Sequence, residues 1–354
     1  MIDLDDEATL SAGDPGGMLA MVAAMPEHCR EGYRLGRATS ELPALTGVTS
    51  VAFCGMGGSA LAGDVIRALY ADRLGVPVEV VRSPSLPEFC GPHTLVLASS
   101  YSGGTAETLA CFEEAVRRGC RVIAATSGGE LATRADELGV ARVAIPSGFL
   151  PRAAFGFLAL GWLGALEAVG LVPPLAGTVE EAAAELETVA ATLVPSVPTP
   201  VNLAKGIALA VGDRVPVIWG AEGIGSVAAF RWKTQMNENA KVPAFASSLP
   251  ELDHNEVLGW SRGTGSRFLL VTLRHEGEHR DVAVRFPLSV EIAVAAGAHT
   301  EEIWARGRSP LARLLSLVIV GDFVATYLGL RRGEDPCEMD AIVRLKQALA
   351  EASG

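Results

Sequence analysis

The sequence predicts an α/β protein of two tandem doubly wound parallel-sheet domains closed by a C-terminal helix. Three observations carry this. Short β-rich apolar runs alternate with stretches of helical spacing, the pattern that puts helices on both faces of a parallel sheet. The alternation halts at a proline-rich stretch, residues 194–200, and restarts beyond it. A unit of strand, Gly-rich turn, serine and helix occurs over 51–69 and again over 217–236, an internal repeat on the scale of a domain. The expected divisions are a helical lead-in over 1–45, a first domain with connecting helices over 46–195, a second domain over 201–335 and a closing helix over 336–354.

Each element has its own warrant. Residues 1–45 have helical spacing, punctuated by Gly and Pro at 13–17. Residues 48–54 form a β-rich run that ends at Gly55, Gly57 and Gly58, and 59–74 return to helical spacing. Strands follow at 76–81 and 94–98. Residues 106–118 read as a helix, with Glu107 in the first turn where the dipole favours an acid and Gly119 as the stop. Further strands are expected at 121–125 and 141–145, and helices at 153–169 and 179–194. In the second half, 215–219 is a strand, followed by the turn Gly220-Ala221-Glu222-Gly223-Ile224-Gly225-Ser226 and a helix over 227–238. Residues 268–273 are another strand, with weaker strand signals at 281–286 and 290–294. Residues 310–330 form a long apolar helix, and 338–352 the closing one.

Composition narrows the function. With 354 residues, 49% of them hydrophobic and only 6% aromatic, the chain has the Ala/Val/Leu/Gly character of helices packed closely on parallel strands. A net charge of −12 argues against nucleic acid and against anionic membrane as partners. A phosphate ligand then needs local help from helix N-termini. Six scattered cysteines without a CxxC pair read as reduced, buried thiols, which points to the cytoplasm. The acidic start, Met1-Ile2-Asp3-Leu4-Asp5-Asp6-Glu7, lacks the apolar stretch of a signal peptide. No uninterrupted apolar run reaches the roughly 18 residues of a membrane span. Residues 155–172 come closest, but Glu167 and four glycines interrupt them, so they read as a buried helix.

Gly55-Met56-Gly57-Gly58-Ser59-Ala60 fits G-x-G-x-x-[GA], which alone is equally a dinucleotide fingerprint or a turn for close packing. The second strand ends in Arg82 rather than an acid, which leaves an NADP-type reading open. The exit of the third strand shifts the weight. Ser99, Ser100, Ser102 and Thr105 put four hydroxyls on one loop, and Gly103-Gly104 let it turn sharply into the helix at 106. Hydroxyls and amides converging on a helix N-terminus make an anion nest without fixed charge, suited to a monophosphate.

Gly57-Gly58-Ser59, with Ser100-Tyr101-Ser102-Gly103-Gly104-Thr105-Ala106-Glu107-Thr108, resembles the phosphosugar-binding sugar isomerase (SIS) domain, a flavodoxin-like or Rossmann-like fold. Gln235-Met236-Asn237-Glu238-Asn239-Ala240-Lys241, Leu252-Asp253-His254-Asn255-Glu256, Ser309-Pro310-Leu311-Ala312-Arg313 and the tail Arg344-Leu345-Lys346 resemble the bifunctional phosphoglucose/phosphomannose isomerases. The resemblance spans about 45 to 350. It implies interconversion of glucose 6-phosphate and mannose 6-phosphate with fructose 6-phosphate through a cis-enediol, without metal or other cofactor, in an intersubunit site of a homodimer.

That chemistry needs a base to move a proton between C1 and C2, a group to open the ring, and positive charge to steady the enediolate. Glu238 is the candidate base: it sits between two asparagines near a helix end, where limited solvation raises a carboxyl pKa. His254 is the candidate ring-opening group, since histidine titrates near neutral pH. Asp253, Asn255 and Glu256 are at hand to fix its tautomer, and the resemblance implies that it reaches in from the other subunit. Arg152 resembles the family's enediolate-stabilising arginine, and Lys346 its helper in ring opening. Gly57, Gly58, Ser59, Ser100, Ser102 and Thr105 hold the phosphate and sugar.

Other readings are weaker. His275-Glu276-Gly277-Glu278-His279 satisfies H-E-x-x-H, but it follows a strand and contains a glycine, so it reads as a hairpin-like loop rather than a zinc helix. His28, His93 and His299 read as structural. Two departures from the family stand out: Gly104 where Asn is common, and Cys337 where Asp-Pro is usually followed by Thr. The second makes mannose activity less expected than glucose activity. The alternative function is a non-catalytic phosphosugar sensor, for which no basic DNA-binding module is evident. A glucosamine-phosphate synthase would need a glutaminase half that is not seen.

Overall fold

The computed structural model describes residues 2–261 and 263–353; Met1 and Gly354, the outer ends of the expected lead-in and closing helix, lie outside them. The lead-in is helical: α1 (Glu7–Gly13), α2 (Met18–Ala23) and α3 (Met25–Arg37). Asp14 starts α2, accepting from the amides of Met18 (2.7 Å) and Leu19 (2.8 Å) and so satisfying donors that a helix's first turn leaves open.

The first sheet contains β1 (Ser50–Gly55), β2 (Val78–Val81), β3 (Thr94–Ser99), β4 (Arg121–Thr126) and β5 (Ala141–Ala144). All pairings are parallel, and the order is β2-β1-β3-β4-β5. Helices α4 (Gly57–Tyr70), α5 (Ala106–Arg117) and α6 (Gly129–Glu137) connect the strands. Strands β1 and β3 are buried throughout, which is why they appear as continuous apolar runs rather than alternating ones. After β5, α7 (Phe155–Ala168) is apolar all round and lies against α3. A Cβ on Gly36 would sit 1.9 Å from the Gly161 carbonyl oxygen, so the glycines of this stretch serve the close approach of two helices.

α8 (Ala176–Ala191) and α9 (Leu203–Val211) lead to the second sheet. It holds β6 (Val215–Ala221), β7 (Phe245–Leu249), β8 (Phe268–Arg274) and β9 (His299–Trp304), again parallel, in the order β7-β6-β8-β9. Its helices are α10 (Ile224–Glu238), α11 (Arg280–Ala283), α12 (Arg285–Ala295) and α13 (Pro310–Arg332), and α14 (Asp340–Ser353) closes the chain.

Three sequence expectations are corrected here. Residues 281–286 and 290–294, read as strands, belong to α11 and α12. Val284, Leu288 and Ile292 recur every fourth residue and form one helical face, which outweighs the β-branched run around Ile292. Strands β7 and β9 went unforeseen because they are edge strands of mixed polarity. Finally, the expected long apolar helix at 310–330 is α13, and it rather than residues 155–172 comes closest to a membrane span, with a mean hydropathy of 1.7, yet 94% of that window is buried within the protein. It is the central core helix, packed on α8, α9 and α10. One apolar core runs through both halves, from Phe53 and Trp162 to Trp232 and Phe323.

Candidate active site

Winding in the first sheet reverses between β1 and β3, and doubly wound sheets bind ligands outside the carboxyl ends of their strands at such a switch point. The expected phosphate residues lie on these two turns. Gly57, Gly58 and Ser59 form the first turn of α4. Ser100, Ser102 and Thr105 lie on the loop before α5. Ser59 Oγ accepts from the Tyr101 amide at 3.1 Å and stitches the two turns together. Ser100 Oγ lies 2.9 Å from Thr105 Oγ1 and accepts from the Gly103 amide at 3.1 Å. Gly103 has φ +70°, and a Cβ there would meet the Gly128 carbonyl oxygen at 1.8 Å, so this loop requires glycine. Thr105 precedes α5 without a side-chain cap, and Ser102 is exposed. Ser99 corrects the count of hydroxyls: its Oγ accepts from Trp162 Nε1 at 3.1 Å inside the core. Three hydroxyls remain on the nest.

The candidate cation and base come from opposite halves of the chain and meet beside this turn. α10 spans roughly 22 Å, starting at the carboxyl edge of the second sheet and ending at Glu238. Arg152, just ahead of α7, is 2% exposed. Its Nη1 lies 3.5 Å from Glu238 Oε2, its Nε donates to Asn239 Oδ1 at 2.7 Å, and its Nη2 donates to the Pro336 carbonyl at 2.5 Å. Burial pulls this guanidinium's pKa down, and the Glu238 carboxylate opposes the shift; arginine remains charged. The Glu238 side chain keeps 30% exposure, so solvent and ligand can reach it. A Cβ on Gly58 would come within 3.6 Å of the Pro151 carbonyl oxygen and 3.9 Å of Arg152 Cα. Gly58 therefore faces the backbone of Pro151 and Arg152, which places the Arg152–Glu238 pair next to the turn that Ser59 ties to the Ser100 loop.

A buried ion pair fixes this meeting point. Arg231 on α10 binds Asp322 on α13 through two bonds, of 3.0 and 2.7 Å, and its Nη2 also donates to the Arg152 carbonyl at 2.7 Å. Its guanidinium lies 4.8 Å from the centroid of the Phe155 ring. Asn239, Arg231 and Asp322 were not singled out in the sequence. Only Asn239 offered a signal, as the direct neighbour of Glu238.

Two expected residues lie apart from this cluster. His254 is exposed on a short 3-10 turn (Glu251–His254), and no hydrogen bond among the described residues reaches its ring. Its neighbours do not fix its tautomer. Asp253 accepts from Arg285 (3.0 Å) and Ser289 (2.6 Å), Asn255 binds Glu251, and Glu256 accepts from Trp219 Nε1 at 2.8 Å. Lys346 is exposed on α14, as are Ile342, Val343 and Leu345 around it.

The competing motifs resolve as well. His275 is buried after β8, while His279 is exposed and caps α11 by accepting from the Asp281 amide at 3.2 Å, so the pair shares no helical face. The segment is a strand-to-helix loop rather than a hairpin. Arg82 is ion-paired with Asp64 of α4. Cys337 packs against the α1–α2 turn, where a Cβ on Gly16 would meet its Sγ at 2.4 Å, and its amide donates to Asp335 Oδ1 at 2.7 Å.

Residues 200–349 match the family described as the bacterial phospho-glucose isomerase C-terminal SIS domain. The chain is 35% identical over 336 residues to a bifunctional phosphoglucose/phosphomannose isomerase of Caldicellulosiruptor bescii, covering 94% of this chain and 99% of that protein. It is 34% identical to a protein of the same name from Aquifex aeolicus, covering 86% and 92%. Among solved structures, a hypothetical protein from Thermus thermophilus shares the fold with a TM-score of 0.74 at 20% identity, over 99% of this chain and 93% of that one.

Proposed function

This chain belongs to the bifunctional phosphoglucose/phosphomannose isomerase family and is an isomerase of phosphosugars, and from that premise we propose that it interconverts fructose 6-phosphate with glucose 6-phosphate and mannose 6-phosphate through a cis-enediol. The phosphate sits on the amides and hydroxyls of Gly57, Gly58, Ser59, Ser100, Ser102 and Thr105. Glu238 carries the proton between C1 and C2. Arg152 stabilises the oxyanion of the enediolate with a guanidinium that is itself buried, where its charge counts for more than in water. His254 from a second copy and Lys346 open the ring, and the reading asks for no metal. The observation that carries it is the Arg152–Glu238 contact of 3.5 Å beside Gly58. Family membership in an isomerase family sets the non-catalytic sensor aside. Six free thiols fit a cytoplasmic enzyme.

The surroundings of His254 support the dimer in this reading. Its turn is tied to α12 through Asp253, Arg285 and Ser289. That helix turns Val284, Leu288 and Ile292 outward, and Leu258 beside it is 83% exposed. An apolar face of this kind marks an interaction surface, and a second copy seated there would carry His254 toward the site.

Chelator-treated protein should turn over both aldose phosphates in a coupled assay, glucose 6-phosphate faster. Glu238→Gln should cost about 10²- to 10⁴-fold in kcat while calorimetry shows fructose 6-phosphate still bound. Wild-type protein that converts neither aldose would sink the proposal, as would a fully active Glu238→Gln variant.

A further inference from the structure

Beside the cluster stands a cation that the chemistry above leaves without a role. Lys241, three residues past Glu238, has φ +56°, a backbone conformation that side chains other than glycine's seldom take. Its side chain is only 21% exposed. An ammonium has three N–H donors, and here Nζ donates to three main-chain carbonyls: Glu238 at 2.7 Å, Asp335 at 3.0 Å and Glu338 at 3.1 Å. The first is the open carbonyl at the C-terminus of α10, where positive charge suits the helix dipole. The other two bracket Pro336, whose carbonyl accepts from Arg152 Nη2.

We propose that Lys241 is the positioning residue of the Arg152–Glu238 pair, one ammonium that ties the residue bearing the base to the segment that orients the cation. The proposal rests on the reading of Glu238 and Arg152 given above. Glu238 is held by its own carbonyl, Arg152 by the carbonyl of Pro336, and Lys241 fixes the distance between these two anchors. The same clamp sets where α14 leaves the body of the protein. The phosphate turns are held by separate bonds, so substrate binding does not depend on Lys241.

The test is steady-state turnover of glucose 6-phosphate by wild type, Lys241→Met, Lys241→Arg and Lys241→Gly. Lys241→Gly suits the positive φ and so preserves the backbone while removing the ammonium. A displacement of about 1 Å at a reacting group costs up to about 100-fold in rate. Lys241→Met and Lys241→Gly should lose at least about 10-fold in kcat with KM within about twofold. Lys241→Arg, which restores charged donors, should recover most of the loss. In an Arg152→Met background, Lys241→Met should cost little more. Wild-type kcat in either ammonium-free variant overturns the assignment. So does a rise in KM matching the fall in kcat, or a loss that adds fully to that of Arg152→Met. Failure of both ammonium-free variants to fold would make Lys241 a structural residue and overturn it too. Absence of turnover in the wild type would instead bring down the isomerase reading beneath it.

Discussion

His28 shows what burial does to a single residue. Its ring stacks on Phe157 at 4.4 Å and meets Phe149 edge-on at 5.1 Å, and its Nδ1 has no partner among the described residues. Burial holds its pKa below the ordinary 6.5, so the folded protein keeps it neutral. His275 is depressed too, first by burial, although the Glu276 carbonyl and the Glu278 carboxylate oppose the shift. The unfolded chain takes up these protons near pH 6.5 and the folded chain only at lower pH. The unfolded state therefore binds more protons in that window, and stability is lost as pH falls below about 6.5. Melting temperature should decline between pH 7 and pH 5, and His28→Leu should flatten that slope, with His275 contributing in the same direction. Equal slopes in wild type and variant would show that His28 is already protonated in the fold or not titrating at all. A histidine read from the sequence as merely structural, His28, thus acquires a measurable consequence that only its surroundings reveal.

At the scale of elements, α7, α10 and α13 are locked by one ion pair, and the lock sets where Glu238 and Arg152 meet. Asp322 is fully buried; burial pushes its carboxyl pKa up while Arg231 pulls it down. Removing one member of such a pair strands the other, so Arg231→Met should cost about 3–5 kcal/mol. The double variant Arg231→Met/Asp322→Leu should regain most of that loss, since apolar groups fill the space without a desolvated charge. Its turnover should stay low, because the Arg152 carbonyl has still lost its donor. Denaturant midpoints beside kcat separate the two effects, and an Arg231→Met variant as stable as wild type would show that the pair does not lock these helices. The sequence announced α7, α10 and α13 by their apolar content, and the buried strands β1, β3 and β4 by theirs. It concealed β7 and β9, where an edge strand carries polar residues such as Ser247 and Glu301, and it disguised α12, whose exposed Val and Ile mimic a strand. The candidate site divides in the same way. The Gly and Ser turns were legible because local backbone geometry demands those residues. The bonds of Arg152 to Asn239 and Pro336 were not, because they join positions 87 and 184 residues apart.

For the whole molecule, the decisive matter is that one chain does not gather the full constellation. Arg152 and Glu238 lie together beside the phosphate turns, whereas His254 stands exposed on the second domain next to the apolar face of Val284, Leu288 and Ile292. A symmetric dimer uses the same face on both subunits, and each copy would then hand its histidine to the other's site. This arrangement predicts complementation between inactive proteins. Glu238→Gln and His254→Asn homodimers should each be nearly silent. After they are mixed and allowed to exchange subunits, each mixed dimer would contain one site with both substitutions and one with neither. Random pairing makes about half of the dimers mixed, so about a quarter of all sites should recover. Activity should therefore rise toward about 25% of wild type, with KM unchanged, as exchange proceeds. Leu288→Asp, placed in the apolar face, should shift the molar mass seen by light scattering toward the monomer and abolish the recovery. If the mixture stays silent although exchange is demonstrated with differently tagged subunits, Glu238 and His254 must serve the same chain. The loop carrying His254 would then have to move across the surface of its own subunit to reach Glu238.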